Sequence, residues 1–162
     1  MPFQNLMVTG GCGFIGANFI RFLLERSDFR GRIVNVDALT YAGNPENLAG
    51  VAERYPDRYV FHKADICDAG ALKGLFDRED IDAVCHFAAE SHVDRSILDP
   101  VAFLRTGVLG VHALLEAARQ EHDRRGPDAP FRLLQVSTDE VYGPVPEGLS
   151  REDDPLRPSS PY

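Results

Sequence analysis

The sequence predicts an α/β fold with a doubly wound parallel sheet. Three observations predict it: short apolar runs alternate with helical patterns, a glycine-rich loop follows the first apolar run, and an aspartate ends the second. Strands that alternate with helices build parallel sheets with right-handed crossovers. The chain has 162 residues, which is enough for one domain with a normal core.

Five apolar runs have the length and composition of strands buried in a parallel sheet. They cover residues 6–9, 33–36, 59–61, 83–87 and 133–136. Between the first two runs, apolar residues recur at helical spacing and predict a helix over residues 14–24.

Three further helices are predicted, and each has a different signal. Pro45 suits the first position of a helix over residues 45–54, and a short helix follows at 69–76. The longest covers residues 100–119, and residues 120–130 then indicate a helix end and an exposed loop. The predicted apolar face of the longest helix consists of Leu104, Val108, Val111, Leu114 and Leu115.

Composition narrows the classes of partner and compartment. The net charge of −8 makes nucleic acid an unfavourable partner. Residues 1–5 lack a basic segment, and glycines interrupt the apolar run that follows, so neither a signal peptide nor a membrane span is expected. The three cysteines are far apart and form no metal motif, which favours reduced thiols in the cytoplasm.

The loop after the first strand has glycines at Gly10, Gly13 and Gly16. This spacing differs from the general dinucleotide fingerprint, and by itself it is also compatible with a simple flexible turn. Asp37 ends the second strand about 20 residues after Gly16, where a carboxylate binds the adenosine ribose hydroxyls. It would repel a 2′-phosphate, so the pattern favours NAD over NADP, with a helix cap as the alternative for Asp37. Asp65, after the third strand, fits an adenine contact or a helix cap equally well.

Thr138, Asp139 and Glu140 follow the last apolar run. The carboxyl edge of an open α/β sheet is where ligands bind. Two adjacent acids can divide acid and base work if their environments separate their pKa values, as the removal of water from a sugar requires. The alternative is a strand end with a capping or solvated Asp-Glu pair.

The chain resembles the extended short-chain dehydrogenases/reductases and, more narrowly, the dTDP-glucose 4,6-dehydratases. Five stretches carry the resemblance: residues 9–16, 39–44, 87–96, 137–143 and 159–162. The resemblance implies NAD as cofactor and a dTDP-sugar as substrate. It implies cofactor contacts from Gly10, Gly13, Phe14, Ile15, Gly16, Asp37, Thr40, Asp65, Ile66, Ala88 and Ala89.

The resemblance also implies the chemistry. NAD would oxidise the sugar at C4, with Tyr162 as base and Thr138 as the orienting hydroxyl; Glu140 would remove the C5 proton and Asp139 would protonate the departing C6 hydroxyl. Substrate contacts would come from Ser91, His92 and Arg95, which otherwise form a polar loop. A 4-epimerase and a non-catalytic dinucleotide-binding module are the alternatives to dehydration.

The sequence departs from the pattern of this family in two ways. Gly107 stands where relatives have an asparagine, and the chain stops at Tyr162, before the lysine that follows the tyrosine in relatives. We therefore expect residues 1–143 to form the NAD-binding domain and the proline-rich residues 144–162 to form an active-site loop, without a sugar-nucleotide domain. Such a chain would be inactive alone. The resemblance implies that its long helix from Pro100 provides a homodimer face, and a helix of the core would show the same pattern.

Overall fold

A computed structural model describes residues 3–162 as a parallel sheet with helices on both faces. Met1 and Pro2 lie outside the described residues; they belong to the segment 1–5 for which no signal peptide is expected. The strand order β3-β2-β1-β4-β5 confirms the predicted doubly wound sheet. The strands are β1 (Asn5–Thr9), β2 (Arg32–Asp37), β3 (Tyr59–Lys63), β4 (Ala83–His86) and β5 (Arg132–Gln135).

The helices connect these strands in chain order. They are α1 (Phe14–Glu25), α2 (Val51–Arg54), α3 (Ala69–Glu79), α4 (Val93–Leu98), α5 (Pro100–Leu104) and α6 (Val111–Arg125). Short 3₁₀ turns cover Pro45–Leu48 and Asp139–Tyr142, and a π-helical segment, Arg105–Gly110, joins α5 to α6.

Each face of the sheet has its own apolar cluster. On one face, Val8 and Ile33 pack with Ile20 and Leu24 of α1. On the other, Met7 and Val34 of the sheet are buried with residues of α3 and α6. The α3–α6 contribution consists of Leu72, Leu75, Phe76, Leu114, Ala117 and Ala118.

Two of the predicted helices differ in the structure. The helix predicted over 45–54 is broken, because Gly50 has a left-handed φ of 75° and separates the 3₁₀ turn from α2. The helix predicted over 100–119 extends to Arg125 and contains the π segment. The short helix α4 was not predicted, because its six residues are too few to show the periodic spacing of apolar residues that indicates a helix.

The predicted apolar face of the long helix packs on the sheet only in part. Leu114 is buried, but Leu104, Val108 and Leu115 are 48–57% exposed. The buried face instead includes Phe103, Ala117 and Ala118. The helical segment Pro100–Arg125 is, by length and composition alone, long and apolar enough to cross a membrane; in the structure one side of it packs against α3.

The last turn of α6 is stabilised by ion pairs to a buried carboxylate. Glu121 is buried and binds both Arg124 and Arg125 at 2.6–2.7 Å. Arg125 also reaches Asp80, at the end of α3, at 2.6 Å. These ion pairs fix the end of α6 against the turn that leads into β4.

Candidate active site

The glycine loop forms a backbone cradle at the carboxyl end of β1. Gly10 has a φ of 70°, and a Cβ there would lie 2.6 Å from the backbone nitrogen of Ala88. A Cβ on Gly16 would overlap the carbonyl of Gly10. Only glycine fits at these two positions, and α1 therefore begins close against the end of β1.

The N-terminus of α1 offers unpaired donors to a ligand. Gly13 is the N-cap, and it provides no side chain to bind the first N–H groups. Phe14 and Ile15 follow with exposed side chains, and their N–H groups belong to the first turn, which has no acceptor within a helix. A helix N-terminus of this kind attracts a phosphate through its N–H groups and its dipole.

Asp37 lies at the end of β2 beside this cradle and is buried. Its Oδ2 accepts a hydrogen bond of 2.9 Å from the Cys12 N–H, and its Oδ1 accepts one of 2.8 Å from the Leu39 N–H. Asp37 therefore does not cap a helix, and the capping alternative for this residue is wrong. Each carboxylate oxygen can accept further bonds, so acceptor capacity remains for ribose hydroxyls.

The structure separates the roles of Asp65 and Asp68. The cap of α3 is Asp68, whose side chain accepts from the Ala71 N–H at 2.9 Å, so the capping alternative for Asp65 is wrong. Asp65 instead accepts from the Cys67 N–H at 2.9 Å. Ile66, which the resemblance assigns to the cofactor, is buried and belongs to the core of the domain.

Thr9 and His86 form a buried polar pair beneath the cradle. They are register partners on β1 and β4, and their Oγ1 and Nδ1 atoms lie 2.5 Å apart. The Ala88 N–H donates to the same Thr9 oxygen at 3.4 Å. Burial lowers the pKa of His86 to about 4, so the ring is neutral near pH 7. Ala88 leads into the exposed Ala89, so this pair fixes the start of the loop after β4.

Thr138, Asp139 and Glu140 lie just beyond β5 in a 3₁₀ turn. Thr138 caps the turn, accepting from the Glu140 N–H at 3.2 Å and donating to Asp139 Oδ1 at 3.3 Å. Thr138, and neither of the two acids, is therefore the cap of this turn. Asp139 is exposed, as the alternative of a solvated pair expects, whereas Glu140 is half-buried. Two carboxylates and a hydroxyl consequently stand at the same sheet edge as the cradle.

Tyr162 is brought near the domain by the proline-rich segment. The Arg157 N–H donates to the Val141 carbonyl at 2.9 Å, so this segment folds back on the 3₁₀ turn. The Tyr162 ring meets Phe103 of α5 edge-on, with ring centroids 6.0 Å apart. Within residues 3–162 no hydrogen bond joins Tyr162 to Thr138 or Glu140.

The three predicted substrate residues lie together, and Tyr41 lies among them. We call residues 39–44, which include Thr40, the Tyr41 loop. We call residues 90–95 the Ser91 loop; they comprise the end of the loop after β4 and the start of α4. The Tyr41 hydroxyl lies 2.8–3.0 Å from three polar atoms of Ser91. The Arg95 guanidinium lies 3.8 Å from the centre of the Tyr41 ring, and the His92 ring centroid is 6.3 Å away.

Sequence reasoning missed Tyr41 and the Thr9–His86 pair. The pair had a usable signal, since Thr9 ends the first apolar run, His86 is the last residue but one of the fourth, and neighbouring parallel strands end at one edge. Tyr41 had none, because its contact with Ser91 joins loops 50 residues apart. In the described part of the chain, no group of three or more His, Cys, Asp or Glu residues is placed to hold a metal ion.

Comparison with known proteins identifies relatives of the whole chain. The dTDP-glucose 4,6-dehydratase 1 of Escherichia coli K12 is 47% identical, with 98% of this chain and 46% of that protein covered. The crystal structure of DesIV, a dTDP-glucose 4,6-dehydratase from Streptomyces venezuelae with NAD and TYD bound, has a TM-score of 0.84 at 43% identity, with 98% and 47% covered. The UDP-glucose 4-epimerase of Thermus thermophilus, solved in complex with NAD, has a TM-score of 0.80 at 32% identity, with 98% and 46% covered.

The chain spans about half the length of the curated relatives it matches. The family described as GDP-mannose 4,6 dehydratase matches residues 7–162. The match includes the glycine loop, Asp37, the Ser91 loop and the Thr138–Glu140 turn. The resemblance predicted from the sequence is thereby confirmed, and the chain belongs to the GDP-mannose 4,6 dehydratase family.

Proposed function

We propose that these residues are the NAD-binding part of a dTDP-glucose 4,6-dehydratase. The observation that carries the proposal is the Asp139–Glu140 pair beside Thr138 at the sheet edge that also holds the dinucleotide cradle. Relatives named dTDP-glucose 4,6-dehydratase, 43–49% identical, support the substrate class. In this proposal residues 1–143 are the cofactor domain and residues 144–162 carry the active-site loop to Tyr162.

The residues of the cradle fit NAD. Gly10 and Gly16 leave room for a pyrophosphate against the backbone, and the first N–H groups of α1 are free to bind it. Asp37 would accept hydrogen bonds from the adenosine ribose. Thr40, Asp65, Ala88 and Ala89 surround the same edge and are assigned to the remaining cofactor contacts.

In the proposed reaction the sugar is oxidised at C4, loses water across C5 and C6, and is reduced at C6. NAD, when bound, would accept the hydride from C4 and return it to C6. Tyr162 would take the proton of the C4 hydroxyl, which Thr138 orients. Glu140 would remove the C5 proton and give it back as C6 is reduced, while Asp139 would protonate the C6 hydroxyl so that it leaves as water.

A 4-epimerase is the second candidate, because solved epimerases share the fold. Their TM-scores of 0.78–0.82 are close to the 0.81–0.84 of the dehydratases, so shape does not separate the two activities. Epimerisation inverts a hydroxyl and expels no water, so it needs neither an acid for a leaving hydroxyl nor a base at C5. The adjacent carboxylates of Asp139 and Glu140 therefore favour dehydration.

Product analysis tests the proposal. The 162 residues are joined to the C-terminal half of the 47% identical Escherichia coli relative, and the joined chain is incubated with NAD and dTDP-glucose. We expect a 4-keto-6-deoxy product, and Glu140→Gln should stop after oxidation and accumulate reduced cofactor. An inverted hydroxyl in the product would mean an epimerase, and normal turnover by Glu140→Gln would exclude Glu140 as the base.

We further propose that the 162 residues alone bind NAD without turnover, as a homodimer in the cytoplasm. Asp139 and Tyr162 are exposed, so nothing in the described residues encloses a sugar between them. The exposed apolar face of α5 and α6 supports self-association. The free thiols of Cys12, Cys67 and Cys85 fit a reducing compartment.

A further inference from the structure

The three residues assigned to the substrate all contact one side chain that the proposed reaction does not use. Ser91, His92 and Arg95 each meet Tyr41, which lies on the other loop. Tyr41 follows Thr40 on a loop anchored at the cofactor side. The Leu39 N–H binds Asp37, and the Asn44 N–H donates to the Cys12 carbonyl at 3.0 Å. The Tyr41 loop therefore connects the dinucleotide cradle to the Ser91 loop.

The hydroxyl of Tyr41 has its full hydrogen-bonding capacity used by one residue. The Ser91 N–H donates to it at 2.9 Å, and it donates to the Ser91 carbonyl at 3.0 Å. Ser91 Oγ, at 2.8 Å, is then left to donate to the second lone pair. A hydroxyl bonded to the N–H, carbonyl and side chain of the same residue fixes both its backbone and its side chain.

The ring of Tyr41 holds the remaining two residues. The Arg95 guanidinium lies over the ring face at 3.8 Å, a cation–π contact. His92 has a left-handed φ of 77°, and Leu39 on the facing loop has a φ of 56°. Such backbone strain persists only where surrounding contacts hold it, and it concentrates at ligand clamps. Two of the three strained non-glycine residues in the described chain thus lie on the two loops that Tyr41 joins.

We propose that Tyr41 is a positioning residue that links the cofactor and substrate sites. It holds Ser91, His92 and Arg95 in place and transmits ordering of the Tyr41 loop by NAD to the Ser91 loop. This inference rests on the proposed function for the identity of the cofactor. The link itself is a property of Tyr41, and it is measured both with and without NAD.

The test uses the ¹⁵N-labelled 162-residue chain, followed by NMR. The Tyr41→Phe variant keeps the ring and loses the three bonds to Ser91. Tyr55→Phe is the matched control, because Tyr55 also faces an arginine but its hydroxyl makes no hydrogen bond within residues 3–162. Without NAD, Tyr41→Phe should speed exchange of the Ser91 amide about fivefold, the effect of one lost hydrogen bond, and Tyr55→Phe should not.

Addition of NAD then tests transmission. In the unmodified chain and in Tyr55→Phe, NAD should shift the signals of the Cys12 and Leu39 amides together with those of the Ser91 amide and Arg95 Nε–H. In Tyr41→Phe, the first two should still shift and the last two should not. If Tyr41 had a purely structural role, NAD would shift the Ser91 and Arg95 signals in Tyr41→Phe as it does in the unmodified chain. That result would overturn the proposed link between the two sites.

The outcome also separates this inference from the proposed function. If NAD shifts no signal in any variant, NAD binding by this chain is refuted, and the inference is then decided by the NAD-free exchange rates. Equal Ser91 exchange in Tyr41→Phe and Tyr55→Phe would overturn it. Faster exchange in Tyr41→Phe alone would support Tyr41 as the residue that positions the Ser91 loop.

Discussion

Asp37 shows how one side chain can serve both the fold and a cofactor. Its carboxylate holds the Cys12 N–H of the glycine loop and the Leu39 N–H of the Tyr41 loop. It is buried there, so its negative charge is poorly screened by water. The charge therefore acts strongly on any phosphate placed beside it.

We predict that the chain prefers NAD to NADP and that this preference depends on Asp37. The double change Asp37→Ala with Ala38→Arg should narrow or reverse it, because the repelling carboxylate is replaced by a cation next to the 2′-phosphate. The variant should also lose about 1–3 kcal/mol of stability, since two backbone N–H groups lose their acceptor. Calorimetric titration with both dinucleotides measures the preference, and tighter binding of NADP by the unmodified chain would contradict it.

His86 makes stability depend on pH. Its pKa falls from 6.5 to about 4 on folding because burial disfavours the charged ring, so the unfolded chain binds the proton more readily. Stability from this group is complete above pH 6.5 and is lost as pH falls toward 4. At about 1.36 kcal/mol per pKa unit the loss reaches about 3 kcal/mol. Urea unfolding at pH 7, 5.5 and 4 should show it, and an NMR titration that places the His86 pKa near 6.5 would refute this explanation.

Secondary-structure elements were predictable where one physical signal dominated. The central strands β1, β2 and β4 are largely buried, so they read as continuous apolar runs. All five strands were located within one or two residues of their observed ends. The prediction that β5 is buried was wrong, because it is the last strand of the sheet and most of its residues are exposed. The prediction of one continuous helix over residues 45–54 was wrong, because Gly50 takes a left-handed conformation that the spacing of residues in the sequence does not reveal. The prediction of the buried face of the long helix was partly wrong for a different reason.

Pro100–Arg125 has two apolar faces, and periodicity cannot tell which one packs on the sheet. The predicted face has the larger side chains, such as Leu104 and Leu115. The face that packs uses Ala117 and Ala118, whose small side chains allow close approach of α3. The candidate site shows the same division: the glycine loop and the paired acids were visible in the sequence, whereas the Tyr41–Ser91 contact depends on how distant loops meet.

The π segment between α5 and α6 offers a matched pair of glycines. A Cβ on Gly107 would meet no heavy atom within 4 Å in the described structure outside its own helix, whereas a Cβ on Gly110 would lie 2.8 Å from two carbons of Ile66. We predict that Gly107→Ala raises the free energy of unfolding by about 0.5–1 kcal/mol, through reduced backbone entropy of the unfolded chain. Gly110→Ala should lower it, through overpacking. Urea denaturation compares the two, and equal effects would show that the segment adapts freely.

The longest helical segment of the molecule, Pro100–Arg125, has one side buried in the domain, and its other side is apolar but exposed. Val101, Leu104, Val108 and Leu115 follow each other at spacings of three, four and seven residues, and each is 48–69% exposed. All four side chains are apolar and lie outside the two buried clusters, so the segment carries an exposed apolar stripe. Such a stripe on a domain that already has two buried cores indicates an interaction surface.

We predict that two copies of the chain associate through this stripe. If two copies associate through it, Val108→Glu should place two like charges in an apolar contact and convert a dimer to a monomer. Val145→Glu is the matched control, since Val145 is similarly exposed but lies in the loop after the 3₁₀ turn, away from the helix. Sedimentation velocity should give twice the 17.9 kDa chain mass for the unmodified chain and the control, and the single mass for Val108→Glu. A dimer that survives Val108→Glu would place the contact elsewhere, and a monomeric unmodified chain would exclude self-association by these residues alone.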